Sequence, residues 1–310
     1  MNIYIAYGLI VMGASFWGVT GLFVQYLYEF GLTPWDVVTI RMSVSSAILL
    51  LILSILGRDY LKVQIKHLPY FFGLGVFCIA FFNWCYFAVM ERTSLSVAVI
   101  FVYTSPIFAA IIARFFYRET ITFKKCVAMG LTIIGCGLVA GIISSGGTSL
   151  SGMTVLLGLL SGLFCSLYSV LGRYVSQIYH PVTITIYSMI CGSVLMIPTS
   201  SIWTKSSIFM NGDVWIYIFG ISIISTIFAY TLYTLGLTYI ESSKATILST
   251  VELVVSVMIG VLVFNDGLTG WQWIGFLLVF SSLFITVIPN KKRPKVHHSL
   301  NYKPQMKSYY

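Results

Sequence analysis

The chain has 310 residues, of which 58% are hydrophobic and only 9% are charged. This composition excludes an ordinary soluble globular domain, in which about a quarter of the residues are charged, and indicates a membrane protein. The formal charge of +9 does not indicate nucleic-acid binding, because the basic residues are not interleaved with stacking aromatic residues on a polar domain.

Ten apolar stretches follow one another along the chain, each long enough to cross a hydrocarbon core of about 30 Å as a helix. They cover residues 3–29, 35–56, 68–90, 94–117, 122–143, 152–176, 181–203, 213–238, 243–264 and 270–288. The breaks between them contain turn residues, as in the segments GLTPWD and SSGGTSLSG. The sequence therefore predicts an all-α polytopic membrane protein with ten transmembrane helices.

Lysine and arginine residues are distributed unevenly between the two sides of the membrane. If the N-terminus is placed inside, most of them fall on the inner side, and only Arg92 and Lys205 fall on the outer side. Short cytoplasmic connections carry the excess of positive residues, so this distribution predicts that both termini are cytoplasmic. The basic tail, residues 291–310, is expected to be solvated near anionic lipid headgroups.

The sequence also resembles itself at an offset of 147 positions. At this offset Glu119 aligns with Asp266, and Thr122 aligns with Thr269, at the ends of the fourth and ninth stretches. Because each half has an odd number of helices, the second half enters the membrane in the opposite orientation. Residues 1–143 and 144–290 are therefore predicted to form two inverted five-helix repeats, an arrangement found in secondary transporters that bind their substrate between the repeats.

Five segments resemble the EamA repeats of the drug/metabolite transporter superfamily. They are ASFWG, TPWDVVTIRMSVSSAILL, TSPIFAAIIARFFYRETIT, SLYSVLGRY and STVELVVSVMIGVLVFNDGLT. The resemblance covers nearly the whole chain up to residue 290, and it implies a ten-helix bundle with a central cavity, alternating access and, by analogy, export. Family members often have a proline after the acid of the ninth helix, whereas in this chain Leu253 follows Glu252.

Glu252 and Arg41 are the two charged residues well inside the apolar stretches. A charge at the centre of a bilayer costs on the order of 3 kcal/mol on insertion scales, and such residues form pairs or mark a transport pathway. We interpret Glu252 as a recognition group for a cationic or amine-bearing substrate, or as a proton site; the alternative is a structural carboxyl bonded to neighbouring hydroxyl groups. For Arg41, which is near the outer end of its helix, structural anchoring is favoured over substrate contact.

Aromatic and amide side chains near the middle of the helices are the other candidates for a substrate site. They are Trp17, Asn83, Tyr86, Tyr103, Tyr168, Tyr230 and Tyr233. The pair in the third helix, Asn83 and Tyr86, is equivalent at the repeat offset to the tyrosine pair in the eighth. Packing explains each ring equally well by itself, but as a group with Glu252 they predict a largely apolar pocket with a few polar groups, typical of a small-molecule site.

These features predict a secondary transporter that moves a small metabolite, such as an amino acid or amine, across the plasma membrane, which is the inner membrane of a bacterium. No Walker sequence GxxxxGK[ST] is present, so transport is expected to be proton-coupled or facilitated. The expected partners are the substrate and the lipid bilayer, and the protein is predicted to be a monomer or a homodimer. The small face of Gly137 and Gly141 packs helices either within one chain, which is the favoured interpretation, or between two copies.

Two other classes of protein are the alternatives. A non-transporting membrane scaffold or receptor would not need matched polar faces in two inverted halves. A membrane-embedded enzyme is disfavoured, because the apolar stretches hold one acid and no histidine pair. No cofactor or metal is expected, since the six cysteines lie in apolar segments without a CxxC spacing.

Overall fold

The computed structural model of the protein describes residues 2–92, 98, 101–139, 151–264 and 269–288. Within these ranges the protein is all-helical and contains no strand. Eight helices of this part are long and apolar enough to cross a membrane. They are Ile3–Glu29, Pro34–Leu56, Ile65–Met90, Gly152–Ser176, Pro181–Thr199, Gly212–Leu237, Ser242–Val263 and Gly270–Val287.

The α-helices are numbered below in chain order. They are α1 (Ile3–Gly18), α2 (Thr20–Glu29), α3 (Pro34–Leu56), α4 (Leu68–Phe72), α5 (Phe82–Arg92), α6 (Ser105–Tyr117), α7 (Phe123–Val139), α8 (Gly152–Ser176), α9 (Pro181–Thr199), α10 (Gly212–Ser222), α11 (Ala229–Leu237), α12 (Ser242–Leu248), α13 (Val251–Phe264) and α14 (Gly270–Val287). The predicted fourth and fifth stretches contain α6 and α7. The tail 291–310, Asp266 and Gly141 lie outside the described residues.

Capping side chains fix where several of these helices begin. The hydroxyl of Thr33 caps α3 and that of Thr269 caps α14, and in each case the side chain three residues later, Asp36 or Gln272, returns a bond to the capping residue. Pro34 and Pro181 occupy first helical positions, where a missing backbone N–H costs nothing.

Two kinds of irregularity recur in the two halves, one at the offset of 147 positions and the other within one position of that offset. A π-helical segment, Gly73–Phe81, joins α4 to α5, and a second one, Ile223–Phe228, joins α10 to α11; its equivalent at that offset is residues 76–81. A turn at residues 103–104 precedes α6, and a turn at residues 249–250 separates α12 from α13. Matching interruptions therefore lie at equivalent places in the two halves of the chain.

The second turn forms without a proline after it, whereas Pro106 lies in the first turn of α6. The hydroxyl of Ser249 donates to the carbonyl oxygen of Thr246 at 2.9 Å, and that of Thr250 donates to Ile247 at 2.7 Å. Such bonds from a side chain to the preceding turn compete with regular helical bonding and bend helices. As a result Glu252 lies in the first turn of α13, directly after an interruption.

Helices from the two halves pack on one another throughout the bundle. The most extensive contacts join α7 to α14, α1 to α11, and α3 to α9. In the same way α8 packs on α5 and on the π-helical segment before it, and α6 packs on α8 and α12. The interior between the halves is therefore built from both, and it contains the candidate site.

Candidate functional site

Four of the candidate side chains form one aromatic cluster: Trp17, Tyr168, Tyr230 and Tyr233. The centroid of the Trp17 ring lies 4.9 Å from that of Tyr230 and 4.8 Å from that of Tyr233. The rings of Tyr168 and Tyr230 meet edge to face, with their centroids 5.1 Å apart. The cluster combines α1 of the first half with α8 and α11 of the second.

Hydrogen bonding divides the three tyrosines, all of which are buried. The hydroxyl of Tyr233 lies 2.7 Å from the Ser169 hydroxyl, and that of Tyr168 lies 3.1 Å from the Thr234 hydroxyl. The Tyr230 hydroxyl forms no hydrogen bond with any described residue. The hydroxyls of Tyr168 and Tyr233 therefore have hydrogen-bond partners on neighbouring helices, whereas the hydroxyl of Tyr230 is available to bind another group.

A close helix crossing brings Glu252 next to this cluster. A Cβ atom at Gly18 would lie 2.6 Å from the backbone oxygen of Glu252 and 2.7 Å from Cβ of Val255, so only glycine fits there. Gly18 follows Trp17 directly, and α1 therefore meets α13 at the level of the indole ring. The close approach therefore places the backbone of Glu252 next to the residue that follows Trp17.

Glu252 is surrounded by protein, yet its side chain is only partly buried. The side chains of Trp17 and Arg41 are also only partly buried. The carboxyl group is close enough to Arg41 and to Tyr230 for electrostatic interaction, but no ion pair joins Arg41 to any described acid within 4.0 Å.

Several polar groups at this level of the bundle have no hydrogen-bond partner among the described residues. Nε1 of Trp17 and Nε of Arg41 are buried and have no hydrogen-bond acceptor. The carboxyl group of Glu252 likewise forms no hydrogen bond within the described part of the chain. We call the side chains of Trp17, Arg41, Tyr230 and Glu252 the mid-span site.

Within the described part of the chain, the other three candidates form no ring contact or hydrogen bond with the aromatic cluster. The amide of Asn83 donates to the carbonyl oxygen of Ile79 in its own helix at 2.7 Å, which explains its burial by packing. Tyr86 stacks on Phe82, and Tyr103 packs at the turn before α6. Both tyrosines are nevertheless within electrostatic range of Glu252.

A buried ionic network at one end of the bundle was not predicted from the sequence. The side chain of Glu119 is only 5% exposed, and its carboxylate receives bonds from four donors. They are Nη1 of Arg173, Nζ of Lys125 at 3.3 Å, the Ser243 hydroxyl at 2.5 Å and the Ser242 backbone N–H at 3.1 Å. This network, at what we call the basic end, ties the α6–α7 connection to α8 and α12.

Glu241 extends the basic-end network. Its carboxylate lies 2.8 Å from Nζ of Lys125 and 3.7 Å from Nζ of Lys244. Burial opposes ionisation of Glu241, but the charge and hydrogen bond of Lys125 outweigh it, so the pKa of this carboxyl lies below its usual value. The one sequence signal for the network was Glu119 itself, which aligns with a second acid at the repeat offset.

A second buried acid, Asp36, closes the opposite end. Its carboxylate accepts bonds from the Thr33 backbone N–H at 3.0 Å, the Ser201 backbone N–H at 3.0 Å and Nζ of Lys205 at 2.9 Å. Lys205 also donates to the carbonyl oxygen of Gly31 at 2.8 Å. Neither acid cluster resembles a metal centre, and the described residues contain no group of three His, Cys, Asp or Glu side chains that could hold a metal ion.

Known proteins resemble the chain over almost its whole length. The sequence profile of the EamA-like transporter family matches residues 4–141 and 152–288. An uncharacterized transporter of Archaeoglobus fulgidus is 26% identical over 90% of this chain and 97% of its own, and the uncharacterized transporter YwfM of Bacillus subtilis is 26% identical over 94% and 96%.

Two further similarities concern the membrane and the fold. The uncharacterized inner membrane transporter YicL of Salmonella typhimurium is 20% identical over 92% of this chain and 96% of its own. A crystal structure titled only as that of a protein superposes with a TM-score of 0.74 at 16% identity, covering 91% of this chain and 96% of the other. That structure shares the fold.

Proposed function

The chain belongs to the EamA-like transporter family, within the drug/metabolite transporter superfamily, and we propose that it is a secondary transporter that exports a small metabolite by alternating access. The substrate we propose is an amino acid, an amine or a similar compound. It is a multi-pass membrane protein, and we place it in the plasma membrane with both termini in the cytoplasm, because most of its basic residues lie on that side.

The proposed architecture is two inverted repeats, residues 1–143 and 144–290, with five membrane helices each and a basic tail at 291–310. The recurrence of a π-helical segment at the offset of 147 positions, and of a helix interruption within one position of that offset, supports the repeat. The packing supports it too, because α1 on α11 and α8 on α5 are the pairs that an inverted two-fold axis would exchange. Whether the protein is a monomer or a homodimer stays a prediction.

The observation that carries the functional proposal is the mid-span site. Polar groups from both halves converge there, within electrostatic range of one another, and none has a partner among the described residues. An ionisable residue in the middle of a membrane is costly unless it serves a pathway. We therefore assign Glu252 to the substrate site, as the group that receives a substrate cation or a proton.

The two acid clusters support alternating access around this site. The basic-end network holds α6 and α7 of the first half to α8 and α12 of the second, and Asp36 holds α3 to the segment after α9. Each cluster therefore joins the two halves at one end of the bundle. Opening the cytoplasmic side requires the basic-end network to separate while the Asp36 cluster stays intact. Opening the outer side requires the Asp36 cluster to separate while the basic-end network stays intact.

Counterflow in liposomes tests the proposal. Purified protein is reconstituted, and labelled amino acids, amines and nucleobases are screened against protein-free liposomes. Glu252→Gln is expected to keep the melting temperature and to transport at least about 10-fold more slowly, whereas Glu29→Gln, which changes an exposed acid at the end of α2, is expected to transport normally. Absence of flux with intact wild-type protein would count against a transporter, and normal flux and pH profile in Glu252→Gln would make that acid structural.

A further inference from the structure

Two buried N–H donors without an acceptor are the starting point. Among the described residues, the buried side-chain atoms without a hydrogen-bond partner are mostly hydroxyl oxygens, and one is a carboxylate oxygen of the ion-paired Glu241. The two N–H groups in that set are Nε of Arg41 and Nε1 of Trp17. A buried donor left without an acceptor destabilises a protein, so an acceptor is expected to occupy this place in some state of the molecule.

The two donors belong to one site. The Trp17 ring contacts the Tyr230 ring at 4.9 Å between centroids, and Arg41 is within electrostatic range of the same tyrosine. Arg41 is also within range of Glu252 but has no ion pair with it. The guanidinium group and the carboxyl group therefore interact within the bundle without forming an ion pair, and this differs from an Arg that only anchors its helix at the interface.

The charges of the site restrict what fits between them. Arg41 contributes one positive charge and Glu252 one negative charge, so a ligand that satisfies both carries an anion at one end and a cation at the other. A dianionic group such as a phosphate monoester would be repelled by Glu252, and an amine without an anion would leave Arg41 unpaired. A carboxylate matches a planar guanidinium with a neighbouring N–H donor.

We propose that Arg41 and the Trp17 indole form an anion subsite opposite Glu252, and that the substrate is a small amphoteric molecule whose carboxylate binds Arg41 and Trp17 while its ammonium group binds Glu252. This inference rests on the proposed transport function, which it narrows from metabolites in general to those with both groups. It also assigns Arg41 to substrate specificity.

Matched analogues test the inference in the same liposomes. The probes are labelled L-leucine and L-phenylalanine, their amines without the carboxylate (isoamylamine and 2-phenylethylamine), and their acids without the ammonium group (4-methylpentanoate and 3-phenylpropionate). Wild-type protein is expected to transport at least one of the amino acids at least about 10-fold faster than either of its analogues, the loss that follows when a charged hydrogen-bonding partner is removed.

The variants assign each half of the preference to a residue. Arg41→Gln is expected to transport the amino acid no faster than the matching amine. Glu252→Gln is expected to transport the amino acid no faster than the matching acid. Arg41→Lys, which retains the charge, is expected to restore part of the preference. Trp17→Phe keeps a ring against Tyr230 and Tyr233 and removes the N–H, so it is expected to reduce discrimination against the amine several-fold.

The outcomes separate this inference from the function on which it rests. If wild-type protein transports the amines as fast as the amino acids, or if neither Arg41→Gln nor Trp17→Phe alters the ratio, the anion subsite is wrong and the transporter proposal stands. If these amino acids give no flux while amines or nucleobases do, the amphoteric substrate is likewise excluded. If no compound gives flux with correctly folded protein, the transport proposal falls and this inference with it.

Discussion

Replacing Glu119 by Gln removes the charge at the centre of the basic-end network and changes little in shape. The carboxylate is 5% exposed and compensates two cations, Lys125 at 3.3 Å and the guanidinium of Arg173. Removing one partner from a buried ionic cluster costs about 3–5 kcal/mol. Lys125 retains Glu241 at 2.8 Å, and Arg173 retains its position over the Tyr117 ring, so we expect the lower end of that range.

Thermal unfolding in detergent measures this effect. A loss of about 3 kcal/mol corresponds to a decrease of roughly 6–12 °C in melting temperature, by the scaling for larger domains. The matched control is Asp59→Asn, whose ion pair with Lys62 at 2.6 Å has side chains that are 78% and 83% exposed. Such an exposed pair contributes about 0–1 kcal/mol. If both variants melted within about 1 °C of wild type, the network would not hold the two halves together.

Three further predictions concern other contacts of the bundle. Gly18→Ala, whose Cβ would lie 2.6 Å from a backbone oxygen of α13, is expected to lose about 1–3 kcal/mol of stability. The control is Gly21→Ala, whose Cβ would lie 3.6 Å from the nearest atom, the Ser256 hydroxyl oxygen, and which is expected to melt like wild type. Equal melting temperatures of the two variants would contradict the close crossing. Because Lys125 lowers the pKa of Glu241, the stabilisation from this acid is complete above its usual value of about 4.3 and is lost as the pH falls through the lower folded value. Melting temperatures should therefore decrease below about pH 4.5 less steeply in Glu241→Gln than in wild type, and identical slopes would refute the pair. Tyr230→Phe removes a hydroxyl without a described partner, so it is expected to weaken substrate binding several-fold with less than about 0.5 kcal/mol change in stability, and a large stability loss would show that the hydroxyl is structural.

Apolar length and residue spacing were sufficient to predict an all-helical, multi-pass membrane protein. The same pattern identified Glu252 and Trp17 as candidates, because a polar group in the middle of an apolar helix can be recognised from the sequence alone. The break before α13 could not be read in this way, since it depends on the hydroxyls of Ser249 and Thr250 and not on a proline. Hydroxyl residues are common in membrane helices, and the sequence does not show which of them bend the chain.

Partners in other helices explain most of what the sequence could not predict. The hydroxyls of Tyr168 and Tyr233 are satisfied by Thr234 and Ser169, and only the packing of α8 on α11 reveals that. The missing acceptor of Arg41 was likewise hidden, because the sequence does not show that the fold buries its Nε without a hydrogen-bond partner.

Equilibrium binding of the counterflow substrate to purified protein tests the central claim most directly, because it separates the mid-span site from every later step of transport. Wild-type protein and Glu29→Gln are expected to bind it with the same affinity, and Glu252→Gln is expected to bind at least about 10-fold more weakly, the loss of one charged contact. Unchanged affinity in Glu252→Gln, with the protein folded, would contradict the assignment of the mid-span site as the substrate site.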